Sequence, residues 1–221
     1  MAVKQNVKII IATGVIVLSA LFLYSFFGGF GPPVDVTTQK ALGKFLATEA
    51  LKLRGPDGKI LLLSPDTSAE ANPYADAQMR AFERTLGKNG ATITARRLVR
   101  LNPIRVTSVS GAEFAVLLKK SSENDILVSF IGPPVLGAEP ASNIPEKHAK
   151  ILAVCSGGIP RQANLRRAFE QGMLNAAVIS RPDAGKTSAN TPLEIFNQNF
   201  TVVTAANLAD LPLAAASRGE K

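Results

Sequence analysis

The chain has 221 residues, 46% of them hydrophobic and only 19% charged, which is too apolar for a disordered tail and long enough for one good-sized core. A single cysteine excludes an intramolecular disulfide framework and any multi-cysteine zinc or iron-sulfur site within one chain, and one histidine with no tryptophan thins the catalytic inventory further. The formal charge of +8 favours anionic surfaces but specifies no fold.

Residues 1–8 carry Lys4 and Lys8 and read as a cytoplasmic N-terminus. Residues 9–27, IIIATGVIVLSALFLYSFF, contain no charge, and at about 1.5 Å per residue they match the roughly 30 Å hydrocarbon core of a bilayer. No basic residue follows before Lys40, so the positive-inside rule places the N-terminus in the cytoplasm and the body outside, anchored in the inner membrane. A cleaved secretory signal is the competing reading, against which stand the length of the apolar run and Pro32 just after Gly29-Phe30-Gly31. Residues 28–35 form a Gly/Pro linker that cannot continue a helix. Residues 36–213 then make one extracytoplasmic domain, and residues 214–221 a flexible tail.

Within the domain, Thr38 is placed to cap a helix with apolar positions at Ala41, Leu42, Phe45, Leu46, Ala50 and Leu53, stopped by Gly55-Pro56-Asp57-Gly58. Residues 59–64 (KILLLS) read as a strand buried on both faces. A helix over 74–88, a strand over 91–98, a helix after the capping-box spacing of Ser110 and Glu113, and a strand over 126–131 follow. Further strands are expected at 151–154, 176–179 and 200–204, with a helix over 161–171. This alternation predicts an α/β three-layer sandwich with a mainly parallel sheet, Rossmann-like in class.

Residues 61–93, LLLSPDTSAEANPYADAQMRAFERTLGKNGATI, resemble the opening of a type I periplasmic sugar-binding protein or its repressor relatives. In that family a first strand ends in a polar ligand loop, an Asn-Pro-aromatic step opens the first helix, and a glycine precedes the second strand. The matching positions are Asp66, Asn72, Pro73, Tyr74 and Gly90. Residues 125–133 (DILVSFIGP) are similar to the family's third strand, 150–155 to its fourth, and 196–211 to its closing segment. The resemblance implies one lobe of a two-lobed binding protein, whose ligand would be small, polar and sugar-like. The other half of the cleft would then come from a homodimer or another protein.

Ligands of open α/β sheets sit beyond the carboxyl ends of the strands. That rule selects Asp66, Asn72 and Tyr74 after the first strand, Gly132 after the third, and Cys155, Ser156 and Gly157 with Arg161 after the fourth. Asp66 and Asn72 would hydrogen-bond ligand hydroxyls under an aromatic face from Tyr74, and the Cys155–Gly157 turn would offer N–H groups to an anion near Arg161. Turn and cap chemistry accounts for the same residue types without a ligand. A nucleophilic Cys155 needs a base, and His148, the one histidine, falls at the opposite end of that strand. Residues 180–187 (SRPDAGKT) mimic a phosphate loop, but Ser180 stands where glycine is required and Pro192 interrupts the helix expected next. Arg96, Arg97, Arg100 and Arg105, with Lys119 and Lys120, form a basic stretch suited to lipid headgroups, an acidic partner or plain solvation. Nucleic acid is disfavoured by 6% aromatic content. No motif implies a metal, a cofactor or catalysis. The function expected is a membrane-anchored, non-catalytic binding or docking module, the alternative being an accessory single-pass subunit of a larger membrane complex.

Overall fold

The computed structural model describes residues 2–27, 34–68, 71–100, 109–135, 145–155, 165–181 and 189–208. The chain divides into two compact units, Met1–Asp35 and Val36–Lys221. The first contains one continuous helix, α1 (Ala2–Phe27). Its side chains at 12–24 are exposed on every side, Ile16 and Leu18 by 67% and 68%. Among the described residues no helix is long and apolar enough to cross a membrane.

The second unit is built from α2 (Thr37–Leu53), β1 (Ile60–Pro65), α3 (Pro73–Lys88), β2 (Ile93–Val99), β3 (Val109–Ser110), α4 (Gly111–Leu118), β4 (Ile126–Ser129), β5 (Pro134–Val135), β6 (Lys150–Cys155), α5 (Leu165–Glu170), β7 (Ala176–Ser180), α6 (Pro192–Asn199) and β8 (Phe200–Val203). Six strands form one sheet in the order β2-β1-β4-β6-β7-β8, parallel throughout except for the antiparallel pair β7/β8. The central strands β1, β4, β6 and β7 are apolar along nearly their whole length because helices cover both of their faces. Edge strand β2 instead carries Arg96, Arg97 and Leu98 exposed. On one face Leu61, Leu63, Leu127, Ile151 and Ala153 pack with Phe114 and Leu118 of α4 and Phe169 of α5. On the other, Ile60, Leu62, Val128 and Val178 pack with α2, with Phe82 and Leu86 of α3, and with Phe196 of α6. The β3/β5 pair is a separate parallel ribbon.

Local chemistry explains the boundaries. Helix α2 begins one residue before the expected Thr38 cap: Val36 is the N-cap with no side-chain hydrogen bond, and its carbonyl accepts from Lys40. At Gly43 a Cβ would come within 2.1 Å of the Gln78 carbonyl oxygen, so glycine is what lets α2 and α3 cross closely. The turn before β1 lies against the turn before β4, where a Cβ on Gly58 would meet the Asn124 carbonyl oxygen at 1.9 Å. Asp125, 3% exposed, joins these turns, its carboxylate accepting from the Lys59 N–H at 2.6 Å and the Ser122 N–H at 2.7 Å. Burial by itself would raise its pKa, but those donations outweigh burial and hold the carboxyl below its usual range.

Pro192 opens α6 rather than interrupting a helix, a correction to the reading of that segment. Thr191 caps it by accepting from the Glu194 N–H, while the Glu194 carboxylate accepts from the N–H groups of Asn190 and Thr191. Those donations hold the Glu194 carboxyl below its usual range. Proline suits the first turn because its missing donor has no intrahelical partner there.

Candidate functional site

The sheet changes winding direction at β1. From β1 the chain passes through α3, on one face, to β2; from β2 it passes through α4, on the other face, to β4. The connections that follow β1 and β2 thus run to opposite faces, and the carboxyl edge of the neighbours β1 and β4 is the kind of position where open α/β sheets take ligands.

On the β1 side, Asp66 leaves the strand with its N–H donating to the Val99 carbonyl at 2.9 Å, which ties it to the end of β2. Its carboxylate accepts from the Ser68 N–H at 3.0 Å, and its other oxygen lies 3.5 Å from Arg100 Nε. The Ser68 side chain and backbone hold the Asp66 carboxyl below its usual range, with Arg100 a smaller effect in the same sense. Arg100 itself is 86% exposed, so the pair is a loose one and leaves the guanidinium open to a ligand. Asn72 caps α3, its side-chain oxygen accepting from the N–H groups of Tyr74 and Ala75, both at 3.1 Å. That oxygen is therefore committed to the helix. Tyr74, in the first turn of α3, remains 49% exposed. Thr67 donates to the Asp76 carboxylate at 3.2 Å, which fixes the loop over the start of α3.

On the β4 side a buried hydroxyl shapes the exit. Ser129 donates to the Gly132 carbonyl at 2.6 Å and accepts from the Ile131 N–H at 3.4 Å. Gly132 has φ 98°, a backbone conformation that glycine adopts without steric cost. The Phe130 N–H donates to the Leu63 carbonyl, and its ring meets Phe82 edge to face at 5.3 Å.

Asp66, Tyr74 and Gly132 thus share the carboxyl edge, with Asn72 beside them in a capping role. Cys155 ends β6, but its thiol is buried in the core, and desolvation pushes it up to about 12. Its side chain belongs to the sheet's interior rather than to the edge. His148 lies before β6, bonded to the Ala149 carbonyl oxygen at 2.7 Å, at the far end of the strand. Ser156, Gly157 and Arg161 fall outside the described residues, as do residues 182–187 and Arg105. Arg100 at the edge was legible only as one of a basic stretch; the rule that selected Asp66, applied to the end of β2, singles it out. Among the described residues no group of histidine, cysteine and acidic side chains is placed to hold a metal.

No known family matches the sequence, and no curated protein is detectably similar to it. Solved structures are similar in fold. A carbohydrate transporter solute-binding protein from Agrobacterium radiobacter, in complex with D-arabinose, superimposes with a TM-score of 0.50 at 15% identity, covering 81% of this chain and 62% of that one. The fold is periplasmic-binding-protein-like. A solute-binding protein from Burkholderia graminis, also with D-arabinose, aligns at 12% identity and TM-score 0.46 over 79% of this chain and 61% of its own. The chain spans about three-fifths of the length of these structures.

Proposed function

We propose that this protein is a non-catalytic binding module for a small polyhydroxylated ligand of the sugar class, presented outside the cell membrane by α1. The observation that carries the reading is the carboxyl edge of β1 and β4, next to which Asp66, Arg100, Tyr74 and Gly132 lie, in a fold similar to that of a carbohydrate transporter solute-binding protein in complex with D-arabinose. An exposed aromatic ring, a carboxylate and a guanidinium at one end of the sheet are the group types a sugar needs: one flat apolar face and bidentate hydrogen-bonding groups. Ser156, Gly157 and Arg161 would complete the edge after β6. The absence of catalysis is supported by the buried, protonated Cys155 thiol and by the place of His148 at the far end of its strand.

The anchor rests on nineteen uncharged residues, 9–27, inside one continuous helix whose described side chains are mostly apolar and exposed all round. A helix hydrophobic on every side is stable only within lipid or protein. The same surface, seated against other helices instead of lipid, is what the accessory-subunit reading requires. The test is thermal unfolding of the detergent-solubilised chain against a pentose and hexose panel, repeated with Tyr74→Ala and Asp66→Ala. Stabilisation by one sugar that both variants lose is expected; no shift with any sugar, or a shift both variants keep, overturns the assignment.

A further inference from the structure

The helical layer formed by α2 and α3 carries its positive charge in register. Lys40, Lys44 and Lys52 on α2, and Arg80, Arg84 and Lys88 on α3, recur at multiples of four residues, so each set lines one side of its helix. All six are exposed, while the opposite sides, with Leu42, Leu46, Phe82 and Leu86, are buried in one core. The two rows therefore share the outer surface of a single layer. The carboxylates of these helices are occupied: Glu49 by Lys52 at 2.7 Å, Asp76 by Arg80 at 4.0 Å, and Glu83 by Arg96 of β2. Among the described residues no carboxylate pairs with Lys40, Lys44, Arg84 or Lys88.

From this arrangement we infer that the outer face of α2 and α3 rests on an anionic phospholipid surface. Protein interfaces are depleted in lysine and enriched in aromatic groups at their centre, whereas this face is lysine-rich, and its one large exposed apolar residue among those described, Tyr74, sits in the first turn of α3. A layer of phosphodiester headgroups needs only such a field of mobile cations. The inference rests on α1 as the anchor: residues 28–36, which join α1 to α2, can stretch to at most roughly 30 Å, and Lys40 follows in the first turn of α2. Tethering at that range keeps the local concentration of lipid high, so weak contacts suffice to orient the domain. With this layer down, the sheet lies parallel to the bilayer and its carboxyl edge opens sideways along it.

The full chain in lipid nanodiscs provides the test, with lysine acylation rates read residue by residue. In discs containing phosphatidylglycerol at low salt, Lys40, Lys44 and Lys88 are expected to react several-fold more slowly than in pure phosphatidylcholine, with Lys119 and Lys120 as unchanged references. Half-molar salt should abolish the difference. In the quadruple variant Lys40→Glu, Lys44→Glu, Arg84→Glu, Lys88→Glu, protection of Lys52 should disappear, since each cation contributes roughly fivefold to surface attraction. Equal rates in both lipids, or protection indifferent to salt, overturn the inference. Failure of the anchor reads separately, as a chain that does not float with neutral vesicles, whereas failure of the face alone reads as a chain that floats with them but whose lysines react at equal rates in both lipids.

Discussion

Replacing Asp125 tests how the two amino-terminal turns of the sheet are held together. Its carboxylate accepts two backbone N–H groups, from Lys59 at 2.6 Å and Ser122 at 2.7 Å, while its own carbonyl accepts from Lys150 at 3.0 Å. Asp125→Ala keeps the backbone bond and strands the two donors. An unpaired buried donor costs about 1–3 kcal/mol; because Lys59 and Ser122 are exposed enough for water to reach their amides in part, the expected loss is about 3 kcal/mol in total. For a domain of this size that lowers Tm by roughly 6–12 °C. Asp125→Asn retains one acceptor and turns an NH2 toward the second donor, with an expected loss of about 1–2 kcal/mol. The folded pKa lies below the unfolded value, so the carboxylate's contribution is fully present above about pH 4 and disappears as pH falls through the folded pKa. Chemical denaturation of the full chain in detergent, at several pH values between 2 and 7, measures both effects. An alanine variant within 0.5 kcal/mol of the parent, or an asparagine variant with the parent's acid slope, would refute the reasoning.

Gly43→Ala should lower stability by about 2–3 kcal/mol, read as a fall in Tm, because its Cβ would press on the Gln78 carbonyl oxygen at 2.1 Å and force α2 from α3. Thr191→Ala should cost about 1 kcal/mol through loss of the α6 cap, again by denaturation. Cys155, pushed up to about 12 and buried, should resist alkylation at pH 8 in the native chain and react fully in guanidinium, by intact mass. Tyr74→Ala should change unfolding free energy by no more than about 0.5 kcal/mol, since the ring is 49% exposed, which separates any loss of ligand affinity from a loss of fold.

The alternating architecture was legible because β1, β4, β6 and β7 are uninterrupted apolar runs between turn residues, a pattern imposed by burial on both faces. Helix α6 is hard to read from the sequence although Thr191-Pro-Leu-Glu194 spells a capping box, because Pro192 suits a helix break and a first helical turn equally. Strand order was not readable, since parallel pairings are set by packing between residues distant in sequence. At the edge, Asn72 illustrates the limit of residue type as a guide. An amide after a strand suits a ligand and a helix cap equally, and only the two 3.1 Å bonds to Tyr74 and Ala75 decide where its oxygen is spent. The latch from Ser129 to Gly132 had no signature either, a serine closing a strand being commonplace.

Phe45, near the start of the domain, stacks on Phe196 with ring centroids 3.6 Å apart, and Phe196 packs in turn on Phe200. The first helix of the domain is thus completed by nearly the last. During synthesis from the N-terminus, α2 emerges long before its aromatic partner exists, and the greasy side of that helix must wait for about 150 further residues to be added, roughly 8–30 s at about 5–20 residues per second. Premature termination anywhere before α6 would leave an aromatic surface uncovered, making fragments of this protein conspicuous to quality-control proteases and the finished chain not.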